Sequence, residues 1–317
     1  MRSPSPLAAW PLVALLVVAL SGCGLFDDDD RAIPSTTSPA TTVGPEVLDA
    51  GSAPRKQLRL TFAEGATTTV AISFDLDVTQ ESGGTTQALD TPLVTETVRF
   101  TVDRVEGDEA DVSFAFTGVA LDRAGTDLTD QEHLELTADL QGLVGVGGTG
   151  LVTDRGAFTA FSYDTPADLD PSVAATLEQF EDQVATITLP MPAEPLGVGG
   201  RWRTTTATTL AGITLDQVTT YEITGFTDSG VAYTATSEQS AAGQDLAPGT
   251  LAAGTTARLV SADVSGTGTG TMDLGSLVAT ATSTLSGTQV IDLTQGDAPT
   301  VRLTQRLDVA LTVTAAG

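Results

Sequence analysis

Apolar and polar residues alternate along most of the chain beyond residue 58. Apolar residues occupy every second position from Val98 and, after a turn at residues 106–109, again from Ala110. The second half repeats this pattern around Tyr221 and Tyr233. Such alternation predicts antiparallel strands with one buried and one solvated face. The last strand is the clearest, and its apolar face comprises Val301, Leu303, Leu307, Val309, Leu311 and Val313.

One segment has a helical period instead. Asp170 can cap a helix and Pro171 suits the first helical position. Apolar residues then follow at spacings of three and four until Pro190. This stripe predicts a single central amphipathic helix at about residues 171–187, formed by Val173, Leu177, Phe180, Val184 and Ile187. Residues 134–140 are instead interpreted as a strand that leads into a Gly-rich stretch.

The two halves of the β-rich region resemble each other. Five residues recur 121 positions later: Phe100, Val102, Val105, Ala110 and Val112 correspond to Tyr221, Ile223, Phe226, Val231 and Tyr233. An Asp-x-Gly pattern at Asp154 recurs 119 positions later at Asp273, each at an expected hairpin tip. The offset predicts duplicated β units, although alternation in a Thr- and Gly-rich chain also creates weak self-similarity.

The expected fold is therefore mainly β. It is a curved antiparallel sheet, arranged either as a half-barrel or as two similar β units, with the central helix against it. Hydrophobic residues make up 41% of the chain and aromatic residues only 5%, which suits short side chains on pleated strands.

The net charge of the chain argues against one class of function, nucleic-acid binding. The formal net charge is −27, and Lys56 is the single lysine. A surface this acidic repels nucleic acid, because binding to a phosphate backbone needs clustered Lys and Arg. The charge also keeps the protein soluble in a salty exterior, and the alternative interpretation is an acidic docking face or a surface that binds divalent cations.

The N-terminus has the features of an export signal that ends in a lipidation site. Residues 7–20 form an apolar run, LAAWPLVALLVVAL, which has the length of a signal-peptide core and is too short to span a bilayer. Leu20, Ser21 and Gly22 then precede Cys23, the single cysteine. This pattern resembles the lipobox of bacterial lipoproteins. The resemblance implies diacylglyceryl transfer to the Cys23 thiol, cleavage before it, and a lipid anchor on the extracytoplasmic face of the cell membrane.

The pattern divides the chain into four parts. These are a signal peptide (1–22), a lipidated Cys with a flexible acidic tether rich in Pro, Thr and Ser (23–55), an N-terminal β half with the helix (56–189) and a C-terminal β half (190–317). The aspartates at 27–30 are interpreted as a solvated spacer. Calcium binding is the alternative, but adjacent aspartates lack the alternation and Gly turn of a calcium loop.

The junction between the halves carries a second resemblance. Its sequence from Pro190 to Trp202 is PMPAEPLGVGGRW. This resembles the P-x-x-P-hydrophobic-x-x-G-x-x-W junction of an uncharacterised family of bacterial surface lipoproteins, by composition an actinobacterial one. The layout of lipobox, tether, curved sheet and single helix is also similar in outline to the LolA/LppX/LprG type of lipid-carrying lipoprotein. That resemblance implies an apolar ligand cavity lined by Val173, Leu177, Phe180, Val184 and Ile187.

Candidate catalytic groups are few. His133 is the only histidine, so it cannot form a multi-His zinc site, and no Gly-x-Ser-x-Gly elbow accompanies it. It is interpreted as a solvent-exposed residue at the start of a strand. Gly-x-Gly strings at residues 266–270 lack the Lys of a phosphate loop and are interpreted as sheet bends or bulges. Paired carboxylates could hydrolyse glycosides, but the candidates are interpreted as solvated or helix-capping charges: Asp75, Asp77, Asp164, Asp168 and Asp170.

The sequence therefore predicts no catalytic residue, no metal site and no cofactor. We expect a non-enzymatic, membrane-anchored binding protein whose ligand is a lipid or another apolar molecule. The apolar face of residues 301–313 would form part of its site. The alternatives are a structural or protein-interaction module of the cell envelope and a carboxylate-dependent hydrolase.

Overall fold

The computed structural model describes residues 41–163, 188–210, 213–246 and 254–316. Within these ranges the chain forms fourteen strands and one helix. Their bounds are β1 Thr41–Asp49, β2 Thr67–Ser82, β3 Thr85–Asp90, β4 Leu93–Glu106, β5 Glu109–Asp122, α1 Asp130–Gln141, β6 Gly147–Thr153, β7 Phe158–Tyr163, β8 Arg201–Leu210, β9 Ile213–Phe226, β10 Gly230–Ala241, β11 Gln244–Asp245, β12 Thr255–Asp273, β13 Thr280–Gln295 and β14 Val301–Ala315.

All fourteen strands belong to one antiparallel sheet. Its order is β1-β8-β9-β10-β12-β13-β14-β2-β4-β5-β6-β7, with β11 beside β12 and β3 beside β2. The long strands β12, β13, β14 and β2 form its middle, and β14 joins the C-terminal half to the N-terminal half through β2. The predicted β-rich fold with an antiparallel sheet is confirmed, and the two halves form a single sheet.

The sheet is strongly curved. In the turn between β6 and β7, the carbonyl of Arg155 accepts a hydrogen bond from the Met191 amide (2.8 Å). The carbonyl of the adjacent Pro190 accepts one from the Trp202 Nε1 on β8 (2.7 Å). Strands β6 and β8 are nine places apart in the sheet, which would separate them by about 43 Å if the sheet were flat. The sheet must therefore curl until these strands approach each other, with one face turned inward.

One end of the inward face is closed by two crossing segments. Residues 56–62 pass from the turn after β1 towards β2, and residues 188–200 lead into β8. The amide of Leu60 donates to Asp154 O (2.7 Å) and that of Thr61 to Leu274 O (2.6 Å), which ties the β6–β7 turn to the β12–β13 turn. Their apolar side chains are fully buried in the main core: Leu58, Leu60, Leu189, Met191 and Leu196.

The repeat appears in the strand register of two hairpins. Val105 pairs with Ala110 on β5, and 121 residues later Phe226 pairs with Val231 on β10. On the next strand of each half, Val152 pairs with Ala110 and Met272 pairs with Val231. The first predicted Asp-x-Gly pattern lies in the turn after β6, and the second begins at Asp273, the last residue of β12.

The repeat is displaced by one residue in those turns. Asp154 N donates to Asp108 O (2.6 Å), and the corresponding bond in the second half runs from Leu274 N to Ser229 O (3.0 Å). Asp154 therefore corresponds in space to Leu274 and not to Asp273. The predicted offset of 119 was wrong because one residue shifts between the two turns.

The helix of the described structure is α1, where a strand around Leu134 was predicted. Leu134 is 63% exposed, so the apolar alternation there does not mark a buried face. Thr129 and Glu132 form a capping box that starts the helix. The helix covers the end of β5, because Gln141 Nε2 donates to Val119 O (3.0 Å). The predicted helix at 171–187 lies outside the described residues.

The sheet begins earlier in the chain than predicted. Residues 41–55 were assigned to the tether, but β1 pairs along β8 and Val47 pairs with Trp202. Val47 is half-buried against the main core, so its burial holds β1 to the sheet edge. Ser52 N then donates to Val198 O (3.0 Å), which fixes the turn after β1.

Candidate functional site

The Pro- and Gly-rich junction at residues 190–202 packs against one end of the sheet. Trp202 is fully buried, and its indole donates to Pro190 O. Gly199 has a φ of 79°, a conformation that glycine adopts without strain. Gly197 packs directly on the carbonyl of Ser52, where a Cβ would collide with that oxygen. This motif therefore closes one end of the curled sheet.

A ring of half-buried apolar side chains lines the inward face beyond the main core. We call this ring the inward band. Its side chains lie at about the same height along neighbouring strands, as shown by the cross-strand pairs Phe74–Val94, Val94–Leu121 and Leu311–Phe74. The members are Phe74, Val94, Val119, Leu121, Tyr221, Leu285, Val309 and Leu311. At the closed end, by contrast, the inward side chains are almost completely buried.

Small residues face inward on β12 and β13 at the level of the band. Gly268 pairs with Ser283, and Gly270 with Ala281. Glycine in a strand marks a place where another group approaches the backbone closely. A Cβ on Gly270 would lie 2.6 Å from the Tyr233 ring, and one on Gly266 would lie 2.8 Å from Leu285 Cγ. The Tyr233 and Leu285 side chains therefore lie over the β12 backbone, and β12 itself projects no large side chain inward at this level.

Residues 266–270 were predicted to form bends or bulges, and they contain no bulge. This stretch pairs without a register shift with β10 on one side and β13 on the other. The shift on the β13 side lies between Leu259 and Ser261. The glycines therefore accommodate neighbouring side chains.

Glu96 is the acidic residue at the edge of the inward band. On β4 it pairs with Ile72 of β2 and Val119 of β5, and it is only 8% exposed. Burial raises the pKa of its carboxyl to about 7. Within the described ranges, no hydrogen bond or ion pair involves its side chain. Glu96 was not predicted as a site residue, although it interrupts the apolar alternation from Val94 to Val102.

A β-bulge lies directly beside Glu96. Thr97 pairs with Gly118 and Val98 with Phe116, so Thr117 is an extra residue on β5. Bulges bend a strand locally and reorient side chains near functional sites. The Thr117 hydroxyl donates to Thr97 O (3.2 Å). The bulge therefore fixes the local backbone next to the buried carboxyl.

Glutamines border the inward band on the side away from the closed end. Gln289 Nε2 donates to Gln305 Oε1 (2.8 Å), and Gln305 Nε2 to Gln80 Oε1 (3.4 Å). These three buried amides form a ladder across β13, β14 and β2. Beyond them a second apolar cluster includes Ile291 and Leu303. The predicted apolar face of β14 is confirmed from Leu303 to Val313, but it is interrupted by Gln305, and Val301 is 48% exposed.

The outward face carries an acidic groove of about 590 Å³. Asp75, Asp77 and Asp308 contribute carboxylates, with Glu238 on the far strand. Asp77 and Asp308 are direct cross-strand partners, an arrangement of like charges that destabilises a sheet. Asp75 and Asp77 thus share one face, as predicted. Most of the remaining lining consists of Ser and Thr hydroxyls.

His133 does not lie at a strand start. It belongs to α1, and its Nε2 is 3.3 Å from Leu121 O at the edge of β5. It therefore contributes to covering that edge. The remaining predicted site residues lie outside the described residues: Leu20, Ser21, Gly22, Cys23, Asp164, Asp168, Asp170, Val173, Leu177, Phe180, Val184 and Ile187.

The described ranges contain neither a cluster of metal ligands nor a helix able to cross a membrane. No group of three His, Cys, Asp or Glu side chains there is arranged to hold a metal ion. No helix in those ranges has the length and apolar character needed to cross a membrane.

Comparisons with known proteins assign no family. No protein-family model matches the chain, and no curated protein matches it. Among solved structures, an outer membrane channel from Pseudomonas putida F1 aligns over 81% of this chain and 98% of its own, at 11% identity and a TM-score of 0.13. A similarity this low supports no argument about fold or function.

Proposed function

We propose that the protein is a lipid-anchored, extracytoplasmic and non-enzymatic binding protein that holds an apolar molecule against the inward band. The sequence supports the anchor through the lipobox and Cys23. The half-burial of the band supports the binding site. When a ligand covers apolar side chains that are partly exposed inside a curled sheet, the complex is stabilised by about 25 cal/mol for each Å² removed from water.

The boundaries of the band favour a ligand of limited length. The closed end is filled by buried residues such as Met191 and Leu196. The glutamine ladder on the other side carries amides that an apolar chain cannot satisfy. An apolar molecule would therefore lie between these two limits, against β2, β4, β5, β13 and β14.

The test uses the chain from residue 24, which keeps every described strand. Native mass spectrometry is compared with denaturing mass spectrometry, and N-phenyl-1-naphthylamine fluorescence then reports binding to the purified protein. We expect an added mass that is lost on denaturation, and bright fluorescence after the natural ligand is removed.

Ser283 and Thr282 provide a matched pair of variants. Ser283 faces inward at the level of the band, whereas its neighbour Thr282 is exposed on the outward face. Ser283→Phe should fill the site and abolish most of the probe fluorescence, and Thr282→Phe should leave it unchanged. Equal fluorescence of both variants, or no fluorescence with the parent protein, would contradict the proposed site.

The outward acidic groove supports a second candidate, a protein-interaction module. Asp77 and Asp308 face each other without a basic residue in the lining, so a cationic segment of a partner would relieve their repulsion. An oligo-arginine peptide should bind the protein and be released as salt screens the charges. Asp77→Asn with Asp308→Asn should weaken this binding, whereas Asp228→Asn, in the exposed β9–β10 turn, should not. Equal binding by all three proteins would rule the groove out.

A further inference from the structure

Glu96 stands out among the buried polar groups of the described structure. Other buried amides and carboxylates have partners: Gln80, Gln289 and Gln305 bond one another, and Asp154 is paired with Arg59. The Glu96 side chain is nine-tenths buried, and no described group bonds to it. It lies on the inward face, between Ile72 and Val119 of the neighbouring strands.

A buried carboxyl without a partner is costly in either form. An ionised carboxylate loses its hydration and gains no counter-charge, so burial favours the neutral acid. The neutral acid keeps one O–H donor that no described group accepts, and although its carboxyl oxygens are not completely shielded from solvent, limited access to water still costs free energy. A ligand that accepts this hydrogen bond would remove the penalty.

We propose that Glu96, as the neutral acid, donates a hydrogen bond to a carbonyl oxygen of the apolar ligand held against the inward band. This inference rests on the proposed function and adds the ligand class: an apolar molecule with an ester, ketone or amide carbonyl. The apolar part contacts residues such as Val94, Val119 and Leu311, and the carbonyl points towards β4. At alkaline pH the carboxylate has no proton to donate, so this contact is lost.

Among the described residues, no charged side chain faces Glu96. The inward positions of β2 and β5 beside it carry Val70, Ile72 and Val119. Helix α1 packs on β5 and brings His133 to the Leu121 carbonyl, while its acidic residues Asp130, Glu132, Glu135 and Asp139 are exposed. On the inward face of β9 and β10, the titratable groups are Tyr221 and Tyr233. Burial raises the pKa of each phenol above its ordinary value of 10, so both stay neutral at pH 5.5 and pH 8.5. Among these described groups, Glu96 is the one whose pKa burial brings to about 7.

The probe for this contact is prodan, an apolar naphthalene ketone whose emission moves to longer wavelength when its carbonyl accepts a hydrogen bond. The protein is the chain from residue 24, studied at pH 5.5 and pH 8.5. N-phenyl-1-naphthylamine, which has no carbonyl, reports the apolar site alone. The variants are Glu96→Gln, which keeps a donor at all pH values, Glu96→Leu, which has none, and the control Glu222→Gln on the exposed face of β9.

We expect the wild-type complex with prodan to emit at longer wavelength at pH 5.5 than at pH 8.5. Glu96→Leu should show the short-wavelength emission at both pH values and bind prodan about five- to tenfold more weakly at pH 5.5, the loss of one hydrogen bond. Glu96→Gln should show the long-wavelength emission at both. N-phenyl-1-naphthylamine should bind all four proteins equally, which also shows that the variants are folded.

Three outcomes would contradict these expectations, and they are distinguishable. If prodan binds Glu96→Leu with the emission and affinity of the wild type, Glu96 does not contact the carbonyl although the apolar site exists. If neither probe binds the wild-type protein, the proposed function itself fails. A pH dependence that persists in Glu96→Gln would assign the titration to another group and also overturn the inference.

Discussion

Glu96 occupies a strand position where the alternation of β4 otherwise places Val94, Val98 and Phe100. Its burial raises the pKa of the carboxyl to about 7, from about 4.5 in an unfolded chain. The folded protein therefore binds a proton in a pH range where the unfolded chain has released it. This difference links the stability of the fold to pH through a single side chain.

The linkage predicts a loss of stability as pH rises. Below about pH 4.5 the carboxyl is neutral in both states and contributes nothing, and between that pH and about 7 the free energy of unfolding falls. The total loss is about 3 kcal/mol at 1.36 kcal/mol per pKa unit. Urea denaturation at pH 4.5 and pH 8 should show this fall in the wild type relative to Glu96→Gln.

The exposed Glu222→Gln variant is the control for that comparison. Its stability should follow the wild type at both pH values, because Glu222 is exposed on β9. Parallel pH profiles for the wild type and Glu96→Gln would show that the buried carboxyl does not titrate as its burial requires.

Helix α1 shows why one element escaped the sequence analysis. Leu134 and Leu136 alternate with polar residues, which favours a strand, yet Leu134 is exposed. The local signal for a helix was the Thr129-x-x-Glu132 capping box, which was present in the sequence. The apolar pattern is weak here because the helix contacts the sheet through a few residues, including Leu140.

The capping box makes α1 sensitive to one hydroxyl. Glu132 N donates to Thr129 Oγ1 (3.3 Å), and Thr129 N donates to Glu132 Oε2 (2.8 Å). Thr129→Ala should lower the free energy of unfolding by about 1 kcal/mol. Urea denaturation measures the loss, and hydrogen exchange should show faster opening of α1. Glu135→Ala on the same exposed helix surface should change the stability by less than about 0.5 kcal/mol, and an equal effect of both variants would argue against the cap.

The strands were largely predictable because their information is local. Alternation located the hairpins β4–β5 and β9–β10, and the 121-residue offset reappears in their register. The curl of the sheet was not predictable in detail, since it depends on contacts such as Trp202 with Pro190 and Thr61 with Leu274. β1 was missed because its Thr-rich, Pro-containing sequence matches the composition of a linker. Of the candidate site, Glu96 was visible as a break in alternation, but its burial depends on the fold.

At the scale of the whole molecule, charge and apolar surface are separated. Among the described residues, the acidic side chains lie mainly on the outward face and in the turns, as Asp75, Asp77 and Asp308 illustrate. The inward face holds the core, the inward band and Glu96. An acidic exterior opposes adsorption to anionic lipid headgroups, so the proposed membrane attachment relies on the lipid at Cys23.

That attachment gives the final prediction. In a bacterial host grown with tritiated palmitate, the wild-type chain should incorporate label and sediment with membranes, because two or more acyl chains hold a protein firmly to a bilayer. Cys23→Ala removes the thiol that would carry the lipid, so label should be absent and the chain should keep its precursor size. Ser21→Ala is the matched control, since alanine is also small and should preserve processing. If Cys23→Ala still incorporates palmitate and sediments with membranes, the chain is held there by something other than the lipobox, and the site of attachment must then be sought in the body itself.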